Sequence, residues 1–398
     1  MGEKNIGVFF GSGSVEHDIS IITGQLVIAG LKGLGYPVTP VYITKAGKWM
    51  LGEELGDLKL FSDPTKKIED EKKYYEYYLD MEQSIGKMVF RRKGLRSRTI
   101  TIDLAFPALH GTFGEDGKIQ GLFEMLGVPY VGCGVLASAV SMDKVLTKQV
   151  YELHKIPTAK FLYFYREQWE KDPQNIITKI KTNLPWPIII KPAHLGSSIG
   201  ISKVKNQEGK DLANALELGF FYDEKVIVEE AVQNLMDVTC CVIGNRQPRF
   251  SVLQESLIAQ DVLDFESKYL KDGGAQTGKA QGGLVIPARL DEETTKQIQN
   301  TAMEVFKILE CSGIARVDFL YDRAAKKFFV NEVNPLPGTL YHHLWKASGV
   351  ELDELLQKLI KFAEEKYELG RQTNYTFESS VLKNLKGSKL SGPKIKDR

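Results

Sequence analysis

Residues 188–201 constrain what this chain can fold into more than any other segment. They read Ile-Ile-Ile-Lys-Pro-Ala-His-Leu-Gly-Ser-Ser-Ile-Gly-Ile, so an apolar strand ends at Lys191, a loop of small residues follows, and a second strand begins. Small residues let backbone N–H groups close around phosphate oxygens, and the lysine adds a positive charge. The segment is not a Walker A loop, because no Gly-Lys-Ser/Thr opens a helix. Phosphate binding and a plain Gly/Ser hairpin both remain open at this point.

A set of polar residues lies on two strands near the end of the chain. Glu332 and Asn334 are two residues apart and share a strand face, and Asp318 belongs to the preceding strand. Three oxygen ligands suit Mg²⁺, which takes the rest of its ligands from water and phosphates. A solvated strand face is the weaker interpretation, because the flanking residues are apolar and buried carboxylates need a cation. Arg316 is expected on the opposite face from Asp318 unless a twist or bulge intervenes.

The chain length implies more than one domain. With 398 residues, two or three hydrophobic cores are expected. A strand at residues 6–10, a Gly/Ser turn, a helix and a second strand at residues 38–43 make a βαβ start, which is typical of α/β folds. Residues 62–98 alternate charged residues with tyrosines and are interpreted as a surface elaboration, either a helix or a hairpin.

Charge and cysteine content exclude several function classes. The 52 Lys and Arg residues balance 51 Asp and Glu residues, so no global field favours nucleic acid or an anionic membrane. The four cysteines show no metal-ligand spacing, which favours free thiols in a reducing compartment. Neither a leader nor an apolar run of membrane-spanning length is found. We therefore expect a cytoplasmic protein without nucleic-acid or membrane partners.

A phosphate loop and a magnesium set together describe an ATP-using enzyme, and six motifs in order identify its relatives. They are residues 11–20 (Gly-Ser-Gly-Ser-Val-Glu-His-Asp-Ile-Ser), 109–121 (Leu-His-Gly-Thr-Phe-Gly-Glu-Asp-Gly-Lys-Ile-Gln-Gly), 129–139 (Pro-Tyr-Val-Gly-Cys-Gly-Val-Leu-Ala-Ser-Ala, leading to Met142-Asp143-Lys144), 188–204, 267–270 (Ser-Lys-Tyr-Leu) and 332–334 (Glu-Val-Asn). The chain resembles the D-alanine–D-alanine ligases of the ATP-grasp superfamily from about residue 5 to 365, apart from residues 62–98.

The resemblance implies an α/β, three-domain ATP-grasp fold. It has a Rossmann-like pre-ATP-grasp N-terminal domain, a central domain and a C-terminal α+β domain, with ATP held between the last two. The expected bounds are 1–140 for the N-terminal domain (62–98 being an insertion), 141–232 for the central subdomain, 233–372 for the C-terminal subdomain with a mobile loop at 264–283, and 373–398 for a flexible basic tail.

The resemblance also implies a reaction. ATP phosphorylates the carboxylate of one D-alanine, and the amine of a second D-alanine attacks the acylphosphate to give D-alanyl-D-alanine for peptidoglycan precursors. The expected cofactor is Mg²⁺, with Mn²⁺ as an alternative, at two ions per site, and ATP is the co-substrate. A homodimer is expected. Two alternatives from other classes are a kinase that stops at phosphoryl transfer and a nucleotide-binding protein without turnover.

The family's motifs assign roles to residues of this chain. For ATP binding the resemblance implies Lys144, Lys191, Glu229, Glu230, Val232, Asp237 and Lys268, and for the metal Asp318, Glu332 and Asn334. For catalysis it implies Glu16, Ser197, Tyr269, Arg316 and Gly338, and for substrate binding His110, Glu115, His343 and Leu344. Glu16 would anchor the first ammonium, in a hydrogen-bonded trio with Ser197 and Tyr269. Arg316 and the Gly338 N–H would stabilise the oxyanion.

One departure concerns the second substrate. His343 stands where the family usually has a serine that holds the acceptor carboxylate. A histidine can donate one hydrogen bond to a carboxylate, a charged one if it is protonated. It is also bulkier, so an ATP-grasp ligase that makes another dipeptide or a depsipeptide is the alternative. Tyr269 argues against the depsipeptide, because ester-forming relatives typically lack it.

Overall fold

The structure, a computed structural model, describes residues 4–63, 68, 74, 77–94, 98–207, 210–257 and 283–380. Within these ranges the elements are as follows. The strands are β1 (Ile6–Gly11), β2 (Val38–Ile43), β3 (Trp49–Leu51), β4 (Tyr77–Leu79), β5 (Met88–Arg92), β6 (Thr99–Ile102), β7 (Leu104–Pro107), β8 (Phe161–Tyr165), β9 (Ile188–Pro192), β10 (Ser202–Val204), β11 (Lys225–Glu230), β12 (Leu235–Gly244), β13 (Arg249–Phe250), β14 (Gln254–Ser256), β15 (Leu284–Val285), β16 (Gly313–Asp322) and β17 (Lys327–Asn334). The helices are α1 (His17–Gly33), α2 (Leu58–Ser62), α3 (Lys118–Met125), α4 (Val135–Met142), α5 (Lys144–Leu153), α6 (Arg166–Lys171), α7 (Pro173–Asn183), α8 (Asp211–Tyr222), α9 (Glu292–Ile308), α10 (His342–Ala347) and α11 (Leu352–Arg371), with 3₁₀ helices at Glu53–Gly56 and Gly338–Tyr341.

The first sheet has the order β3-β2-β1-β7, with β1 parallel to both neighbours. Every residue of β1 is buried, as expected for a parallel strand that is covered on both faces. At Gly11 the backbone has φ +96°, and a Cβ atom would lie 2.2 Å from the Ile43 carbonyl oxygen. Glycine therefore permits the sharp turn that directs the chain from β1 into α1.

A three-stranded antiparallel sheet, β4-β5-β6, forms part of the elaboration expected at residues 62–98. Its β4–β5 pair confirms a hairpin at residues 77–92. The surface location expected for this region is wrong here, because Met88, Val89 and Phe90 of β5 are buried. Residues 129–131 pair in parallel with β7 through a single bridge between Ala105 and Tyr130. The Ala105 N–H donates to the Pro129 carbonyl oxygen at 2.9 Å, and the Val131 N–H donates to the Ala105 carbonyl oxygen at 3.0 Å.

Two antiparallel sheets make up the rest of the fold. The central sheet has the order β10-β9-β11-β8, and the C-terminal sheet runs β15-β14-β12-β16-β17 with β13 on β12. Strands β12 and β16 pair over ten residues, from Leu235–Asp322 to Gly244–Gly313. The end of β9 carries Lys191, while β16 carries Asp318 and the end of β17 carries Glu332 and Asn334. Lys191 donates to the Asn331 side chain of β17, so the two sheets bring both sequence signals toward one region.

The largest hydrophobic cluster joins the two ends of the chain. It contains Ile6 and Val27 of the first layer together with Leu355, Leu356 and Leu359 of α11. Helix α11 is amphipathic and buries this stripe against α1. No described helix combines the length and apolar character that a bilayer crossing requires.

Candidate active site

The loop at residues 193–200, here named the small-residue loop, lies against the start of α5. The Lys144 ammonium, on the first residue of that helix, donates to the Leu195 carbonyl oxygen at 2.5 Å. The Lys144 backbone N–H donates to the Ala193 carbonyl oxygen at 3.1 Å. Asp143 caps the helix by accepting from two backbone N–H groups of the first turn. The structure therefore brings one of the predicted phosphate lysines onto the loop that was predicted to bind phosphate.

Glu229 lies between two lysines at the end of β11. Its carboxylate is 2.7 Å from the Lys191 ammonium and 3.3 Å from the Lys148 ammonium, and only 2% of the side chain is exposed. Burial alone would raise the pKa of this carboxyl, but the two ammonium groups hold it at about 2. Lys191 also donates to the Asn331 side chain at 3.0 Å. Glu229 is thus an ionised acceptor fixed between two cations.

Three other residues predicted to bind ATP lie at the end of β11 or after it in the chain. Glu230 accepts from the Lys160 backbone N–H at 2.9 Å, Val232 lies in the connection between β11 and β12, and Asp237 lies on β12. Lys268 and Tyr269 lie outside the described residues, as does the predicted loop 264–283 except for Gly283.

The predicted metal set converges as expected from its spacing. Asp318 and Glu332 are directly paired across β16 and β17, and the Asn334 amide donates to Asp318 at 3.1 Å. Thr239 of the adjoining β12 donates to the second Asp318 oxygen at 2.9 Å. The donor set of two carboxylates and one carboxamide fits Mg²⁺ in its chemistry. A cluster of three His, Cys, Asp or Glu side chains is not found among the described residues, so the asparagine is needed to make this set three.

Arg316 binds Asp318 directly. Its guanidinium donates to both carboxylate oxygens, at distances of 2.6–3.0 Å, in a bidentate pair. The expectation that Arg316 would face away from Asp318 is wrong, because residues two apart in a strand share a face. The register shift in β16 falls after Asp318, and Arg316 does not need it. Burial opposes the charge on Arg316, but the Asp318 carboxylate raises its pKa well above the usual value.

Glu16 immediately precedes α1 and is wedged between two loops. It accepts a short hydrogen bond from the Ser197 hydroxyl. Added Cβ atoms at Gly111 and Gly196 would lie 2.9 Å and 3.1 Å from its carboxylate. Two of the three members of the predicted trio are therefore in contact, and Tyr269 is the member outside the described residues. The close glycines leave no room for side chains around the carboxylate of Glu16.

His110 uses both ring nitrogens within the protein. Nε2 lies 2.8 Å from the Thr23 hydroxyl, and the ring is hydrogen-bonded to the Leu336 backbone. Burial lowers the pKa of His110 to about 4, so the ring is neutral. Thr23 also accepts from the Thr339 N–H at 2.9 Å. His110 and Thr23 thus tie the loop after β7 to the turn that contains Gly338.

Glu115 is buried close to Glu16. It accepts from the Gly111 N–H at 2.8 Å, and it also hydrogen-bonds the Leu336 backbone. Burial and the neighbouring Glu16 carboxylate raise its pKa to about 8, against the opposing effect of Arg316. The site therefore contains one carboxyl group that exchanges its proton near neutral pH.

The predicted acceptor residues lie around a strained turn. Gly338 begins the last 3₁₀ helix, in which Thr339, Leu340 and Tyr341 all have positive φ, an uncommon conformation for residues other than glycine. His343 Nε2 lies 2.7 Å from the Gln254 amide oxygen. Burial, with nearby His342 and Arg316, lowers the pKa of His343 to about 4, so it is a neutral ring at pH 7. The Leu344 side chain is fully buried in the core.

Several residues of the site were not predicted from the sequence. They are Thr23, Lys148, His194, Thr239, Gln254 and Asn331. Lys148 follows Lys144 by one helical turn on α5, which is the one spacing signal that could have indicated it. The others contact site residues through strands and loops that are distant in sequence.

One cation joins the two halves of the site. Besides the small-residue loop, the Lys144 ammonium approaches Glu332 of the metal set at 3.7 Å. Arg316, which binds Asp318 of the metal set, also acts electrostatically on Glu115 and His110, and its charge favours lower pKa values for both. The small-residue loop, Lys144, the predicted metal set and the partly buried Arg316 therefore form one connected arrangement.

Comparisons with known proteins find similarity along most of the chain. The N-terminal family model for D-ala D-ala ligases matches residues 5–133, and the C-terminal model matches residues 150–361. A D-alanine–D-alanine ligase of Caldicellulosiruptor bescii is 36% identical over 386 residues, covering 95% of this chain and 100% of the relative.

Solved structures give the same result. A D-alanine–D-alanine ligase from Coxiella burnetii superimposes with a TM-score of 0.77 at 28% identity, covering 94% of this chain and 97% of that chain. The VanG D-Ala:D-Ser ligase from Enterococcus faecalis gives a TM-score of 0.75 at 32% identity, covering 91% and 99%. The α/β three-domain ATP-grasp fold is thereby confirmed. The chain belongs to the D-alanine–D-alanine ligase family.

Proposed function

We propose that the protein is an ADP-forming ligase that joins two D-alanines through a D-alanyl phosphate, for peptidoglycan precursor synthesis. The observation that carries the proposal is the position of Lys144, between the Leu195 carbonyl of the small-residue loop and Glu332 of the metal set. A triphosphate placed there would meet a lysine, a loop of backbone donors and a metal set together. Phosphoryl transfer depends chiefly on such positioning and charge neutralisation.

The donor D-alanine is proposed to bind by its ammonium to Glu16. Ser197 fixes that carboxylate by hydrogen bonding, and the flanking Gly111 and Gly196 let the substrate approach it. The carboxylate of the donor would then face the phosphate end of the site. Glu16 therefore orients the nucleophilic oxygen of the first step.

The second step needs a group that stabilises the tetrahedral oxyanion. Arg316 is partly buried and permanently charged, and with the Gly338 N–H it is proposed to supply this stabilisation. Glu115 is proposed to accept the proton of the acceptor ammonium in its ionised form, the fraction of which rises as the pH approaches its pKa of about 8. His110 holds the surrounding loops in place through Thr23 and Leu336.

Asp318, Glu332 and Asn334 are proposed to hold magnesium, at two ions per site, with Mn²⁺ as an alternative. When bound, the metal would supply positive charge that offsets the charge developing on the transferred phosphoryl group. In the structure the charge of Asp318 is balanced by Arg316.

The alternative acceptor is not favoured. The curated relatives of 35–39% identity are named D-alanine–D-alanine ligases, although one similar structure is a D-Ala:D-Ser ligase. His343 is bonded to Gln254 through Nε2, so that nitrogen is not available to an acceptor carboxylate in this structure. We therefore propose D-alanine as the second substrate.

The reaction is tested by incubating the protein with ATP, Mg²⁺ and D-alanine and measuring ADP and products by mass spectrometry. We expect equal amounts of ADP and D-alanyl-D-alanine, and no product from L-alanine. ADP without a joined product would indicate a kinase, and product only from a mixed pair of acceptors would contradict the choice of D-alanine. ATP binding without turnover would indicate a non-catalytic protein.

We further propose that the protein acts in the cytoplasm as a homodimer. The four cysteines, all buried and unpaired, support a reducing compartment. Light scattering of the purified protein tests the dimer, which the family resemblance suggests.

A further inference from the structure

His194 lies in the small-residue loop and is clamped between two carboxylates. Its Nδ1 lies 3.0 Å from both oxygens of Asp223, and its backbone N–H donates to Asp223 at 2.7 Å. On the other side of the ring, Nε2 lies 3.4 Å from Asp143. An imidazole with an acidic partner at each nitrogen donates at both only when it is protonated.

The two carboxylates belong to different elements that pack on the loop. Asp143 is the cap of α5 and is followed directly by Lys144, whereas Asp223 ends α8 just before β11. The other charged groups here are Lys225, which binds Asp143 at 2.5 Å, and Arg166, which donates to the Asp223 backbone oxygen at 3.0 Å. The ring thus pins the loop to the helix that presents Lys144.

The backbone of the small-residue loop is strained, so contacts from neighbouring elements must hold its conformation. Ser197 and Ser198 follow one another with φ of 54° and 60°, in the left-handed region that non-glycine residues rarely adopt. A strained conformation persists only where the surrounding contacts determine it. Ser197 is also the residue that binds Glu16. The clamp therefore supports both the phosphate loop and the donor anchor.

We propose that His194 is a positioning residue that, as a cation, holds the small-residue loop on α5 and so sets the affinity for the phosphates of ATP. This inference rests on the proposed function for its catalytic consequences. The two carboxylates raise the pKa of His194 to about 9, although partial burial opposes this. The clamp is accordingly complete at neutral pH and is lost as the pH rises through about 9.

The test compares wild type with His194→Gln, His194→Arg and the matched control His154→Gln, which changes an exposed histidine directly after α5. The first measurement is the Kd of a non-hydrolysable ATP analogue with Mg²⁺ between pH 7 and 10. The second is kcat/KM for ATP at saturating D-alanine over the same range. At pH 7.5, H194Q should have a Kd about tenfold higher and a kcat/KM about tenfold lower than wild type, with a smaller change in kcat.

The arginine variant should restore ATP affinity to within threefold at pH 7.5, because it keeps a cation between the carboxylates. Wild-type affinity should fall about fivefold or more between pH 8 and 10, and that fall should be absent in H194R. Equal affinity of H194Q, H154Q and wild type at pH 7.5 would overturn the proposal, as would the same alkaline fall in H194R. If wild type forms no dipeptide, the proposed function fails, while the binding series still decides the role of His194.

Discussion

At the scale of single residues, charge pairing controls the site. Glu229 is held ionised by Lys148 and Lys191, whereas burial, together with the neighbouring Glu16 carboxylate, raises the pKa of Glu115 to about 8. Opposite and like charges therefore separate the pKa values of carboxyl groups within one site. This separation gives the carboxylates different roles, and substitutions at single positions can test each one.

Replacing Glu332 with Gln should disable the proposed metal site. The substitution removes the negative charge that faces Lys144 and Asp318, so kcat/KM should fall about 100-fold or more, roughly 2.7 kcal/mol of transition-state stabilisation. Steady-state kinetics with varied Mg²⁺ measures the effect. The control is Glu304→Gln on the exposed face of α9. Turnover within tenfold of wild type would contradict the assignment.

Glu115→Gln should stabilise the substrate-free protein at alkaline pH. A pKa that is raised to about 8 on folding means that the folded state holds a proton that the unfolded state has released. Stability is therefore lost as the pH rises from about 4.5 through 8. The variant lacks this loss, so its unfolding temperature should exceed that of wild type at pH 9 and approach it at pH 5.

Calorimetry at both pH values checks this difference, with the exposed Glu152→Gln as control. The same E115Q variant should lose most ligase activity at all pH values. A stability difference that is independent of pH would show that Glu115 is ionised in the folded protein over the whole range.

At the scale of elements, loops that are rich in glycine place the reacting groups and strands fix their direction. The metal set could be predicted because a two-residue spacing on a strand determines a shared face, as for Glu332 and Asn334. The roles of His194 and Lys148 could not, because their partners Asp223 and Glu229 belong to other elements. The spacing of residues fixes neighbours within an element, but contacts between elements depend on the fold.

Gly196→Ala should weaken donor binding specifically. Gly196 does not have a positive φ, so alanine brings little backbone strain, but its Cβ would lie 3.1 Å from the Glu16 carboxylate. The carboxylate must shift by a few tenths of an ångström, which should raise KM for the donor D-alanine about tenfold, roughly 1.4 kcal/mol. The Kd for the ATP analogue should change less than threefold.

The control for this variant is Gly33→Ala, at the end of α1, where an added Cβ meets no atom within 4 Å. Its kinetics should equal those of wild type. An unchanged donor KM in G196A would place the donor ammonium away from Glu16.

At the scale of the whole molecule, the resemblance predicted the family and the overall architecture, but the sequence pattern did not reveal how the two ends of the chain pack. The expected bounds 1–140, 141–232 and 233–372 stay predictions. One hydrophobic cluster contains both β1 and α11, from opposite ends of the chain. A helical stripe indicates that α11 buries one face, but the identity of its partner depends on the complete fold.

Leu356→Ala should destabilise the whole protein. Leu356 is fully buried, and its side chain fills the space that Gly30 leaves on α1. The cavity should lower the free energy of unfolding by about 2–5 kcal/mol. Urea denaturation measures this, and the half-exposed Leu369→Ala on the same helix is the control, with a change within about 0.5 kcal/mol. A loss below about 1 kcal/mol would show that the contact between α1 and α11 contributes little.

The packing of α11 on α1 also determines when the N-terminal layer can complete its folding during translation. On the ribosome, the first βαβ unit leaves the exit tunnel long before the last helix is translated. Until then Val27, Leu31 and their neighbours lack the apolar cover that Leu355, Leu356 and Leu359 provide. The nascent N-terminal layer therefore keeps an exposed apolar surface to which chaperones can bind. The protein reaches its native state only after translation has passed residue 360.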